Sequence, residues 1–142
     1  MIRKNLGEIQ LMAKGSGLKE EYENIFIEGV STDTRTIREN QLFVPLIGEF
    51  FNGHDFINKA VENGAVASLW ARDIPLPDID FPFILVNDTL LGLQQLARSY
   101  REGLDTQVIG ITGSNGKTTI KDILDSLLGS QYKTQKTLGN LN

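Results

Sequence analysis

The sequence contains no cysteine among its 142 residues. That absence excludes a disulfide framework and any thiolate metal site. There is one histidine, His54, so a two-histidine metal centre is excluded, and no Ser–His–Asp arrangement is evident. Positive charge is scarce: 14 Lys and Arg stand against 18 Asp and Glu, a formal net charge of −4. No basic stripe is present, which argues against nucleic acid as a partner. No apolar run is long enough to span a bilayer. The opening residues, Met1 to Glu8, turn acidic at once and lack the apolar core of a signal peptide. These absences predict a cytoplasmic protein with no nucleic-acid or membrane partner; a monomer is expected. There is no internal repeat and no low-complexity tract.

What is present alternates between strand-like and helix-like segments. Asn5 is placed to cap a helix over 6–14, with Gly15 as its stop. Residues 25–30 read as a strand, and 42–47 as a second in which Pro45 marks an edge or bulge. A helix over 55–63 has Phe56, Ile57, Ala60 and Val61 as its apolar face and Gly64 as its stop. Residues 65–70 and 83–86 read as two further strands, with a turn-rich loop at 74–77. Asp88 caps a helix from Thr89 to Arg101, stopped by Gly103. This order predicts an α/β fold.

The most informative stretch lies further on: Gly110-Ile-Thr-Gly-Ser-Asn-Gly-Lys-Thr-Thr119. It follows an apolar run, 107–111, that reads as a buried strand, and precedes a helical pattern over 120–128. Strand, glycine-rich turn, Lys-Thr and helix form the layout of a nucleotide phosphate cradle. Turn amides and the positive helix end attract the phosphates. Lys117 would reach the β/γ-phosphates and the Thr118 hydroxyl would ligate Mg²⁺. The spacing departs from the usual P-loop: Ile111 stands where the first glycine is expected, and Gly113 is additional. A kinase or GTPase fragment would keep the strict spacing. Residues 101–106 read as a linker, and 104–142 as the beginning of a second α/β domain with a short strand over 132–137. The chain therefore reads as the N-terminal part of a longer protein.

A second signal lies upstream. Ser31-Thr-Asp-Thr-Arg35 is a hydroxyl-rich turn with one anion and one cation. It can hydrogen-bond a polar ligand, with Arg35 available for phosphate. Alternatively, Asp33 and Thr34 cap a turn and Arg35 pairs with Asp33. Gly48 and Gly53 bracket a loop bearing Phe50 and Phe51, which can stack on a base or plug a small core. His54 reads as a structural histidine bonded within its own turn, and Trp70 as core. Tyr22 and Tyr100 read as packing or surface residues. Asp122 and Asp125 read as solvated, and Lys133 and Lys136 as ordinary surface.

Together these segments resemble the Mur ligases, ATP-dependent amide ligases of peptidoglycan precursor synthesis. The Gly-x-x-Gly-x-x-Gly-Lys-Thr loop is similar to theirs and to that of folylpolyglutamate synthetase. Ser31–Arg35, Leu42–Leu46, Gly48-Glu49, Asn52–Phe56, Gly110–Thr119 with Lys121-Asp122, and Lys136–Asn142 occur in family-like order. The last of these resembles the branch that adds D-Ala-D-Ala to UDP-MurNAc-tripeptide. The nearest alternative is the branch adding a single amino acid to UDP-MurNAc-dipeptide; a non-catalytic nucleotide-sugar-binding module is another. The resemblance implies that 1–103 is a domain holding the UDP end of the precursor, through Thr32, Asp33, Thr34, Arg35, Glu49, Phe50 and Phe51. It implies that 104–142 starts the central ATP-binding domain. There ATP and Mg²⁺ are held by Gly113, Ser114, Asn115, Gly116, Lys117, Thr118 and Thr119. Lys117 is the catalytic cation and Thr118 the metal ligand. Asn140 and Asn142 fall near the cleft between ATP and substrate. The family's remaining catalytic parts lie later in the chain, so these 142 residues are expected to be inactive alone.

Overall fold

Asn5 starts the first helix with both halves of a capping box. Its side chain accepts from the Glu8 amide at 2.8 Å, and the Glu8 carboxylate accepts from the Asn5 amide at 3.0 Å. The helix, α1, runs Leu6–Met12 and buries Leu6 and Ile9. In this computed structural model, which describes residues 2–137, the chain divides into two units, Met1–Asp105 and Thr106–Asn142.

The first unit is built on a parallel sheet. The segment 25–30, expected as one strand, is two. β2 (Phe26–Ile27) pairs antiparallel with β1 (Lys4–Asn5), whereas β3 (Val30–Ser31) joins the main sheet. The chain changes partner between them, where Glu28 N–H bonds Asn40 and Gly29 C=O receives Leu42 N–H. β4 (Gln41–Phe43) is shorter than the expected 42–47, because Pro45 has no amide to continue a ladder. β5 (Ala65–Ala71) and β6 (Phe83–Val86) complete the order β3-β4-β5-β6, with every neighbouring pair parallel.

Side chains on the two faces go to two cores by strand alternation, except at Ala65, which the register shift between Gln41 and Leu42 puts out of phase with Ala67. One core collects Leu42, Val44, Ala67, Leu69, Ile84 and Val86 against Leu6, Ile9 and Ala13 of the α1 region and Leu96 of α3 (Thr89–Glu102). The other collects Phe43, Ala65, Trp70 and Phe83 against Ile57 and Ala60 of α2 (Ile57–Glu62). The expected helix start at Asp55 is instead a 3-10 turn, Gly53–Phe56, capped by Asn52. Of the four residues expected on the apolar face, Ile57 and Ala60 are buried. Phe56 and Val61 are exposed, because a helix this short turns only a narrow stripe toward the sheet. The β5–β6 crossover has no helix. Ile74, Ile79 and Phe81 cover the sheet there, and the Trp70 indole donates to Ile74 C=O at 3.0 Å. Along β6, Ser16 and Leu85 exchange two backbone hydrogen bonds, 2.8 and 3.0 Å, in an antiparallel bridge. Tyr22, expected as packing or surface, donates its hydroxyl to Asp80 at 2.7 Å; that carboxylate pushes the phenol up to about 12.

The second unit contains α4 (Lys117–Gly129). The buried strand expected over 107–111 is not formed: Val108 and Ile109 are about 60 % exposed. A strand is defined by its partner, and among the described residues this unit has none. The strand expected over 132–137 is absent for the same reason. That segment is instead tied to α4. Lys136 Nζ pairs with Asp122 at 2.9 Å and Asp125 at 3.2 Å, and Thr134 donates to Asp125 at 2.8 Å. Asp122, Asp125 and Lys136, expected as solvated surface, thus form one tether. Lys121 adds a bond to Thr137 C=O.

Candidate functional site

In a parallel sheet with helices on both faces, ligands bind beyond the carboxyl ends of the strands. β3 and β4 are adjacent and parallel, in register at Ser31 and Phe43. The loops that follow them, 32–40 and 46–53, therefore leave the same end of the sheet. Of the residues expected to contact the UDP end, Glu49, Phe50 and Phe51 lie on the loop after β4, and Thr32, Asp33, Thr34 and Arg35 lie on the loop after β3, which starts at the same end and returns to the start of β4.

The first loop is closed upon itself. Ser31 Oγ bonds the Asp33 backbone at both N–H and C=O, 3.2 and 3.0 Å, and Asp33 C=O also accepts from the Thr36 and Ile37 amides. Arg35 grips the Asp33 carboxylate with Nε and NH2, the closest approach being 2.6 Å, while the Arg35 amide bonds the same carboxylate. The Arg35 side-chain bonds hold the Asp33 carboxyl down to about 2, and Asp33 in turn raises Arg35. The internal pairing weighed as an alternative is thus present. The Arg35 side chain still stands 86 % exposed at the loop surface.

The second loop is a small hairpin. Ile47 and Asn52 form an antiparallel bridge, and Gly48 N–H donates to Phe51 C=O at 2.9 Å. The Phe51 ring lies over Gly48, where a Cβ would come within 2.5 Å of it. Phe50 is 96 % exposed and Glu49 is exposed. The two aromatics do not plug a core; they face outward. At the hairpin's foot Gly53 N–H bonds Leu46 C=O at 2.8 Å.

His54 anchors that foot and is structural, as its turn suggested. It is buried, edge-on to Trp70 with ring centroids 4.6 Å apart. Nε2 accepts from the Ala71 amide at 3.4 Å, so Nδ1 carries the proton and donates to Asn52 Oδ1 at 2.7 Å. Burial lowers its pKa, opposed in part by Asp73 and Asp55.

Sequence reasoning missed two supports. Asn52 caps its own turn, and an Asn two residues before a bonded amide was the available signal. Asn63 donates to Thr34 C=O at 2.7 Å, holding the first loop from 29 residues away. Nothing local in the sequence marks that contact.

In the second unit Gly113 and Gly116 have φ of +151° and +78°, a backbone that side chains rarely adopt. They deliver Lys117 to the first position of α4, whose N-terminus has no side-chain cap. Ser114, Asn115, Gly116, Thr118 and Thr119 are exposed and Lys117 half-buried. A glycine-formed turn ahead of an uncapped helix end, with a lysine and two threonines, fits a nucleotide's phosphates and their metal. Asn140 and Asn142 lie outside the described residues. Among the described residues no cluster of three or more His, Asp or Glu side chains is arranged for a metal, and no helix is long and apolar enough to cross a membrane.

Two family models match the chain. The model of the Mur ligase family catalytic domain matches residues 26–101, and that of the Mur ligase middle domain matches 111–142. The UDP-N-acetylmuramoyl-tripeptide–D-alanyl-D-alanine ligase of Bacillus subtilis is 50 % identical over all 142 residues, which cover 31 % of its length. A crystal structure of MurF from Acinetobacter baumannii superposes with a TM-score of 0.85 at 32 % identity, covering the whole chain and 31 % of its own. MurF from Thermotoga maritima, solved with ADP, gives 0.68 at 38 % identity over 80 % of this chain and 26 % of that one. The chain thus spans about a third of the length of the curated relative it matches throughout, and it belongs to the Mur ligase family.

Proposed function

We propose that the protein of which these residues are part is the ATP-dependent, cytoplasmic ligase that joins D-Ala-D-Ala to UDP-MurNAc-tripeptide, acting as a monomer. The observation that carries this reading is the 50 % identity, along every one of the 142 residues, to a ligase of that substrate pair. Residues 1–103 are the domain for the UDP end of the precursor and 104–142 the start of the ATP domain.

The chemistry required is amide formation from a carboxylate, which is uphill in water. ATP supplies the phosphoryl group that makes the tripeptide carboxylate an acyl phosphate, and the D-Ala-D-Ala amine then displaces phosphate to leave the amide. The chain's own contribution is positioning and charge neutralisation. The amides of the Gly113–Gly116 turn would hold the phosphates, Lys117 would offset their charge, and the Thr118 hydroxyl would be a ligand for Mg²⁺. Arg35, with Thr32, Asp33 and Thr34, addresses the diphosphate of the precursor. Glu49, Phe50 and Phe51 address its nucleoside. The 142 residues alone do not turn over.

Phosphate release by the full-length protein tests this, with ATP, Mg²⁺ and either UDP-MurNAc-tripeptide plus D-Ala-D-Ala or the dipeptide precursor plus one amino acid. Release only with the first pair supports the reading. Release only with the second assigns the single-residue branch. Lys117→Ala is expected to lower kcat about 100-fold or more, as for loss of one preorganised charge contact; unchanged turnover would refute the phosphate role.

A further inference from the structure

Alternate amides of β5 point to opposite neighbours. Ser68 and Arg72 donate to the β6 side, at Pro82 and Val86. Ala71 therefore points its amide to the β4 side. But β4 pairs with β5 no further than Phe43 and Ser68, and the chain leaves the ladder at Pro45. Beyond that point the His54 imidazole takes the place of a strand carbonyl, accepting the Ala71 amide at Nε2. The same ring passes its other nitrogen to Asn52, which closes the hairpin through its bridge with Ile47. One buried ring therefore joins the end of a core strand to the base of the loop that carries Phe50 and Phe51.

We infer that His54 is a positioning residue for the precursor: strung between Ala71 and Asn52, it sets the Ile47–Asn52 hairpin in the conformation that presents Phe50 and Phe51. This rests on the reading of that hairpin as a contact for the UDP end. It acts through the loop and touches neither substrate. A preset loop does not have to be ordered on binding, so its loss appears in precursor affinity, not in the chemical step.

The test uses the full-length ligase. His54→Phe keeps a ring against Trp70 and removes both hydrogen bonds. His54→Asn keeps a donor near the Nδ1 position for Asn52. Two readouts are needed: hydrogen–deuterium exchange of peptides spanning 46–53 without ligand, and KM for UDP-MurNAc-tripeptide with kcat and KM for ATP. The expectation for His54→Phe is faster exchange in 46–53 and a precursor KM raised about tenfold, the scale of one hydrogen bond. Its kcat and KM for ATP should stay within about twofold of wild type, and His54→Asn should recover most of the loss. Should His54→Phe not fold, Asn52→Ala, which leaves the buried ring in place, carries the same expectation. Unchanged exchange, or faster exchange with an unchanged precursor KM, overturns the inference. Phe50→Ala separates the two readings. If it leaves precursor KM at the wild-type value, the hairpin is not a substrate contact, whatever exchange reports about His54.

Discussion

Replacing Gly53 by alanine puts the hairpin geometry to a direct test. An added Cβ would lie 2.6 Å from Leu46 O, 2.7 Å from Leu46 N and 3.0 Å from Pro45 Cα. These are backbone atoms of the segment just after β4, and they have no rotamer by which to yield. The same Leu46 oxygen accepts the Gly53 amide, so relieving the clash also stretches that bond. Forcing a methyl into such a site costs about 1–3 kcal/mol. For a unit of this size that is a fall in Tm of roughly 5–15 °C. Gly7 is the matched control. It lies in α1, and a Cβ there would meet nothing closer than Asn5 Oδ1 at 3.4 Å, an ordinary contact. Gly7→Ala is expected to stabilise by about 0.5–1 kcal/mol through helix propensity and reduced freedom of the unfolded chain. Thermal or urea denaturation of the two variants reads both values. Equal, near-zero shifts would refute the close approach of Gly53 to Leu46, and with it the account of how the loop is held.

Two further outcomes follow from the same geometry. Asn5→Ala removes the accepting half of the capping box and is expected to cost about 1 kcal/mol in urea denaturation, with Asn5→Asp nearly neutral. His54 is held below its ordinary pKa by burial, so the unfolded chain takes up its proton first as pH falls. Its contribution is therefore present above about pH 6.5 and is lost as pH drops below it. A stability profile between about pH 7 and 5 should fall more steeply for wild type than for His54→Asn.

Much of the first unit was legible because its signals are local. Asn5 with Glu8, Asp88 ahead of Thr89, and the runs at 65–70 and 83–86 each state their structure within a few residues. Where the sequence misled, the cause was long-range. Residues 25–30 look like one strand because each apolar residue is in place, yet the chain exchanges β1 for β4 as partner midway. The apolar run 107–111 promised a strand, but pairing partners are a property of the fold. For the candidate site, residue types and order were readable from the motifs. The Asn63 bond to Thr34 and the ring of His54 on Ala71 were not, since each joins positions well separated in sequence.

The bridge between Ser16 and Leu85 has a consequence for how the first unit assembles. The strands of its sheet lie side by side in the order of synthesis, so each is laid against the one just made. The last of them would then offer a bare row of amides and carbonyls, the kind of edge on which chains of different molecules add to one another. That row is partly closed by Ser16, which precedes every strand of the sheet in the chain. The earliest part of this unit is thus also its final fastening, and trimming it should turn a closed border into an adhesive one.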